Sequence, residues 1–150
     1  MLLAALVAFG HFLAFFALTA ALVLTLALLD ESMSVDEARR VRRADRVAGL
    51  AAVLLLLFGS LRVFYFEKGG AYYVDNLFFQ IKIGLFLLAA LISIYPTTRF
   101  ARWKSELDRG VAPLLDSGQV IMLKRALHWE LVLIGGILLC ASLMARGFGS

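Results

Sequence analysis

Apolar residues fall into four long runs, and each run is long enough to cross a membrane. The runs cover roughly residues 2–29, 47–66, 77–95 and 126–145. A spanning helix needs about 20 apolar residues, because it rises about 1.5 Å per residue through about 30 Å of hydrocarbon. The pattern therefore predicts an all-α integral membrane protein, with residues 1–150 in a single transmembrane domain. Short connections between the runs favour an antiparallel four-helix transmembrane bundle.

The polar stretches between the runs predict short additional helices. Ser34 and Glu37 have the spacing of a capping box, so a helix should begin there and continue into the second span. Gly69 and Gly70 mark the turn before the third span. Pro96 should end the third span, because proline lacks the backbone N–H that continues a helix. The pattern of residues 97–108 then predicts a short amphipathic helix on the membrane surface. Its apolar residues recur at helical spacing: Phe100, Trp103 and Leu107.

Composition agrees with a membrane protein, and charge predicts its orientation. The chain is 62% hydrophobic with a mean hydropathy of +0.88. Five arginines lie within residues 39–46 and six basic residues within 97–125, whereas the connection between spans two and three has only Lys68. Cytoplasmic loops are the basic ones, so both basic segments should be cytoplasmic and both termini periplasmic. We expect a multi-pass protein of the bacterial inner membrane that contacts lipid and no nucleic acid.

Three ionisable residues lie inside the predicted spans at a similar depth. His11 is about 14 Å from the outer end of the first span, Lys82 about 8 Å into the third and Arg62 about 6 Å into the second. Ionisable residues within spans are rare and usually functional. Plainer readings stay open: His11 as a histidine bonded across helices, and Arg62 and Lys82 as side chains that extend to the headgroups. His128 lies near the other surface, beside Trp129 and Glu130, and is typical of an interfacial anchor.

This combination favours an anionic, metal-containing ligand over a bare metal ion. A zinc or copper site needs three or four converging ligands, and two cations repel a metal ion. A haem needs an iron ligand, for which His11 is the candidate, and cationic partners for its propionates, for which Arg62 and Lys82 are candidates. His11 and His128 differ in depth by more than about 10 Å, which is too far for both to bind one iron.

The layout resembles HemJ, a family of small bacterial membrane proteins, and more widely the CopD-like membrane domains. His11 matches the histidine of the HemJ first span, and Lys82 in the sequence FQIKIGL, residues 79–85, resembles its lysine motif. The HemJ motif has a histidine just ahead of the lysine, where this chain has Gln80. In overall layout the chain is closer to a related family of predicted membrane proteins of unknown function.

The resemblance implies haem b as cofactor and oxidation of a tetrapyrrole, protoporphyrinogen, with electrons passed to a membrane carrier. It implies His11 as axial ligand, Arg62 as a propionate partner, and Lys82 as second ligand or contact to substrate, hence a candidate catalytic residue. A second hypothesis is a non-catalytic accessory subunit of a larger membrane complex. A homo-oligomer also remains open. A copper transporter is disfavoured, because the chain has no Met-x-x-Met or histidine cluster.

Overall fold

The computed structural model of the protein describes residues 1–66, 73 and 75–149. The helices in that part of the chain are α1 (Leu2–Leu28), α2 (Val35–Leu61), α3 (Leu77–Arg102), α4 (Lys104–Asp108) and α5 (Ser117–Ala145). All except α4 are long and apolar enough to cross a membrane. The predicted all-α fold with four spans is confirmed. The turn predicted at Gly69 and Gly70, with Lys68 beside it, lies outside the described residues.

α2 begins at the predicted capping box and ends in a π-helical turn. The Ser34 N–H donates to Glu37 Oε2 at 2.8 Å, and the Glu37 N–H donates to Ser34 Oγ at 3.3 Å. The helix then runs through the arginine-rich segment into the second span without a break. Beyond Leu61 it continues as a π-helical turn over Arg62–Phe66. Such turns alter the direction of the side chains that follow, and they recur at functional sites.

The third helix does not end at Pro96, and that prediction was wrong. α3 continues to Arg102, with Pro96 buried inside it. A proline removes one helical hydrogen bond, but within membrane proteins neighbouring helices and hydroxyl side chains can compensate. Hydroxyls do bond the backbone on both sides of it: Ser93 Oγ donates to the Ala90 carbonyl at 2.8 Å, and Thr98 Oγ1 to that of Tyr95 at 2.9 Å.

The amphipathic segment packs into the protein. Phe100, Trp103 and Leu107 are only 1%, 6% and 2% exposed. Their helical spacing was predicted correctly, but these three side chains belong to the hydrophobic core and do not lie on a membrane surface. The backbone is continuous α-helix to Arg102, turns at Trp103 and resumes as α4.

The buried core lies toward one end of the bundle. We call this end, which contains the arginine-rich start of α2 and residues 97–125, the basic end. The core there draws on all four spans: Ala21 and Leu22 of α1, Ala38, Val41, Ala44 and Ala48 of α2, Phe100 of α3, and Leu123 and Leu127 of α5. Three alanines and one valine at intervals of three and four residues let α2 approach its neighbours closely, which is how membrane helices associate.

The opposite end, which we call the His11 end, is organised as two helix pairs. α1 packs along α2, and α3 packs along α5. Contact between the pairs is much less extensive, and in the described part of the chain no Cα atoms of α1 and α3 come within 8 Å of each other. None of the residues in the most apolar window of α3 is buried. Residues 146–149 fold back onto the start of α3, where Asn76 Nδ2 donates to the Phe148 carbonyl at 3.0 Å.

Candidate functional site

His11 lies on α1 where that helix meets α2. A β-carbon placed on Gly59 would stand 3.4 Å from Cε1 and 3.7 Å from Nδ1 of His11, and no other imidazole atom would come within 4 Å. Nδ1 is shielded from solvent. The Nδ1–Cε1 edge of the ring therefore faces the α2 backbone, whereas Nε2, a common metal-binding nitrogen of histidine, lies farther from it.

At the neighbouring position the roles of the two helices are exchanged, with the glycine on α1 and the ring on α2. A β-carbon on Gly10 of α1 would stand 2.8 Å from Cζ of Phe58 of α2. Each helix thus places a ring over a glycine of the other: Phe58 over Gly10, and His11 over Gly59. The two glycines allow an approach that a larger side chain would prevent, and the paired contacts fix the register of α1 against α2.

Arg62 lies near Phe12, the residue that follows His11. It begins the π-helical turn, and its guanidinium carbon is 5.6 Å from the ring centroid of Phe12, the residue after His11. The rings of His11 and Phe12 are 6.4 Å apart in an edge-to-face arrangement. The structure therefore brings together one imidazole and one guanidinium, with an aromatic ring between them.

Lys82 lies on the other helix pair. It is partly buried near the start of α3, with Nζ 5.0 Å from the ring centroid of Phe79. In the described residues no Cα atoms of α3 and α1 come within 8 Å, so Lys82 lies on a helix whose backbone is not adjacent to that of His11. The roles of His11, Arg62 and Lys82 as ligands remain predictions.

His128 lies apart from these residues, toward the basic end. Its side chain is exposed on α5, and its Nδ1 lies 2.7 Å from the Lys124 carbonyl, which can only accept a hydrogen bond. Exposed Trp129 is beside it. This arrangement is typical of an interfacial anchor. Within the described residues, His128 therefore lies away from the site around His11.

Glu130 is a residue whose position the sequence did not reveal. Its neighbours indicated an interfacial anchor, but the structure buries it to 5% exposure. Asp45 of α2 lies close enough to act on it electrostatically. The signal that could have found Glu130 is its place four residues into the predicted fourth span, where an acidic residue is costly unless it faces protein.

The residues at the His11 end fit part of a haem site. An imidazole can be an axial ligand of iron, and a guanidinium suits a propionate. Phe9 and Phe12, each 63% exposed, add apolar aromatic surface on the same helix. No group of three or more His, Cys, Asp or Glu side chains suited to a metal ion occurs among the described residues.

The fold defines the class: a four-span, all-helical membrane protein with a polar site in one half of the bundle. More specifically, the chain belongs to the family described as Predicted membrane protein (DUF2214), which matches residues 3–149. This confirms the resemblance to a family of predicted membrane proteins of unknown function. No curated protein and no solved structure matches the chain.

Proposed function

We propose that the protein binds haem b at the His11 end, with His11 as the axial ligand. The observation that supports the proposal is that one imidazole edge of His11 faces Gly59 while Arg62 lies over the ring of the adjacent Phe12. Contact with a helix backbone orients the ring, and a fixed ring is what an axial ligand requires. Arg62 binds a propionate, and neighbouring phenylalanines provide apolar contact for the macrocycle.

The proposal extends to a HemJ-like or CopD-like activity. In that case the protein removes hydride or electrons from a tetrapyrrole such as protoporphyrinogen and passes them to a quinone or another membrane carrier. Haem, when bound, supplies the redox couple. Lys82 contacts substrate or a propionate, or is a second ligand, from the α3–α5 pair. A ligand bound between the α1–α2 pair and the α3–α5 pair would contact both the helix of His11 and the helix of Lys82. In the described residues the backbones of these two helices are not adjacent.

The test is an absorption spectrum of the full chain, purified in mild detergent after expression with a haem precursor. We expect a Soret band, its near-complete loss in His11→Ala, and its retention in His128→Ala. His128 is the matched control, because it is the other histidine of the chain and lies toward the basic end. Absence of the band in the natural protein, or its full retention in His11→Ala, would overturn the haem proposal.

A second candidate function is a subunit of a larger membrane assembly, either a homo-oligomer or a complex with another protein. The observation that favours it is the apolar window of α3, none of which is buried within the chain. Cross-linking in native membranes, followed by mass analysis, distinguishes the two forms. A monomer throughout would remove this candidate.

The proposed setting is the bacterial inner membrane, with the basic end in the cytoplasm and both termini in the periplasm. The basic residues of 39–46 and 97–125 support this orientation, because positively charged loops are retained in the cytoplasm. A reporter active only in the periplasm should be active when fused to the C-terminus. An inactive reporter there, with an active one inserted near Gly110, would reverse the orientation.

A further inference from the structure

Glu130 is buried without a hydrogen-bond partner for one of its oxygens. The residue is 5% exposed, and Oε1 has no partner among the residues that the structure describes. An ionised carboxylate in such a position is very unfavourable unless it is paired with a cation or hydrogen-bonded. A buried carboxyl of this kind therefore holds a proton or binds a positive ion.

Asp45, the acidic neighbour of Glu130, is in a different setting. Thr97 Oγ1 of α3 donates to Asp45 Oδ1 at 2.7 Å, which links α2 to α3. Arg42 and Arg46 lie close enough to Asp45 to act on its charge. Asp45 is only partly buried, so it has access to water that Glu130 lacks. The two acids thus form an inner group and an outer group.

The charges that surround the pair favour a proton over a metal ion. Asp45 is the charged side chain that acts on Glu130, and it has the same sign. α1 brings no ionisable residue except His11, which lies at the opposite end, and α3 brings the neutral Thr97. Two carboxyl groups provide fewer ligands than Ca²⁺ or Mg²⁺ takes, and the arginines beside Asp45 repel a cation.

We propose that Glu130 is a proton-binding site inside the membrane, with the partly exposed Asp45 as the outer acid toward the basic end. In this arrangement Asp45 remains charged and solvated, and Glu130 takes up or releases the proton. A nearby charge of the same sign disfavours ionisation of a carboxyl group. The site is independent of haem and lies in the half of the bundle away from His11.

Infrared difference spectroscopy of the full chain in lipid nanodiscs tests the proposal. A protonated carboxyl has a C=O stretching band that an ionised one lacks and that shifts in D₂O. We expect this band in the natural protein, its disappearance at alkaline pH, and its loss in Glu130→Gln. Glu31→Gln is the matched control, because Glu31 is an exposed glutamate in the connection between α1 and α2. No band at any pH, or a band that persists in Glu130→Gln, overturns the proposal.

Asp45→Asn provides a second test that leaves Glu130 in place. The band should still appear, but at a shifted frequency, because the neighbouring charge that acts on the carboxyl has been removed. An unchanged band would show that Asp45 does not act on Glu130 and would overturn the role of Asp45 as the outer acid. Glu130→Gln should also unfold at the same temperature as the natural protein, since glutamine closely matches a protonated glutamate in shape.

Discussion

The imidazole of His11 rests on Gly59: a β-carbon at that glycine would stand 3.4 Å from Cε1. This is at the near edge of ordinary van der Waals contact, so the site leaves no room beside the imidazole for a side chain larger than alanine at residue 59. The position of the imidazole is therefore set from the opposite helix. Any ligand of His11 depends on a residue that need not touch the ligand.

Gly59→Leu should reduce haem binding by about tenfold or more, equivalent to about 1.4 kcal/mol, by pushing the imidazole out of position. The measurement is a haem titration followed at the Soret band. Gly49→Leu is the matched control, since a β-carbon at Gly49 of the same helix meets nothing within 4 Å. Equal affinity in the two variants would show that residue 59 does not position His11.

Gly10→Ala should destabilise the α1–α2 pair. Its β-carbon would stand 2.8 Å from Phe58, so the ring must move, and overpacking of this kind costs about 1–3 kcal/mol. Gly84→Ala adds the same methyl group in open space on α3 and should be neutral or slightly stabilising, because alanine favours a helix by about 1 kcal/mol. Thermal unfolding in detergent compares them. If Gly10→Ala is as stable as Gly84→Ala, Phe58 does not pack closely against Gly10.

Thr97→Val should lower stability by about 1–2 kcal/mol, because it removes the hydroxyl that donates to Asp45 across two helices. Thr98→Val is the neighbouring control: the Thr98 hydroxyl donates to the Tyr95 carbonyl within its own helix. Its loss should cost less than that of Thr97. Chemical unfolding of both variants in the same detergent makes the comparison, and the reverse order would refute a linking role for Thr97.

Asn76→Asp should loosen the C-terminal residues 146–149 while leaving α3 intact; the Leu77 N–H still donates to the Gly149 carbonyl at 3.3 Å. Aspartate can still accept from the Phe79 N–H, as Asn76 Oδ1 does at 3.1 Å, but it cannot donate to the Phe148 carbonyl. Loss of a bond worth about 1 kcal/mol corresponds to about fivefold faster amide exchange in the tail. Hydrogen exchange with mass spectrometry measures it. Unchanged protection of residues 146–149 would mean that this bond does not hold the tail.

Local signals were enough to predict most of the fold. Four runs of apolar residues gave four spanning helices, and the spacing of Ser34 and Glu37 gave the start of α2. The prediction failed at Pro96, where the tertiary structure supports a helix that the local sequence disfavours. It also failed for Phe100 and Trp103, because the same helical spacing suits a membrane surface and a protein core equally.

The site was less accessible to sequence analysis, because it depends on which helices are neighbours. Similar depths for His11, Arg62 and Lys82 were estimated from their positions along the spans. Depth does not specify pairing, and the structure joins the helices of the first two but places Lys82 on the other pair. The contact of His11 with Gly59 depends on the register of α1 against α2. The burial of Glu130 depends on how α5 is rotated about its own axis. Neither quantity is encoded in a short motif.

The hydrophobic core lies at the basic end of the bundle, and contact between the α1–α2 pair and the α3–α5 pair is less extensive. If the α1–α2 pair moved away from the α3–α5 pair, the space beside His11 would widen. A flat guest molecule dissolved in the bilayer could enter sideways between the two pairs, without crossing the headgroups. The leucines and phenylalanines of the two helix pairs would then contact lipid while the pairs are together. They would contact the guest molecule once the pairs have separated.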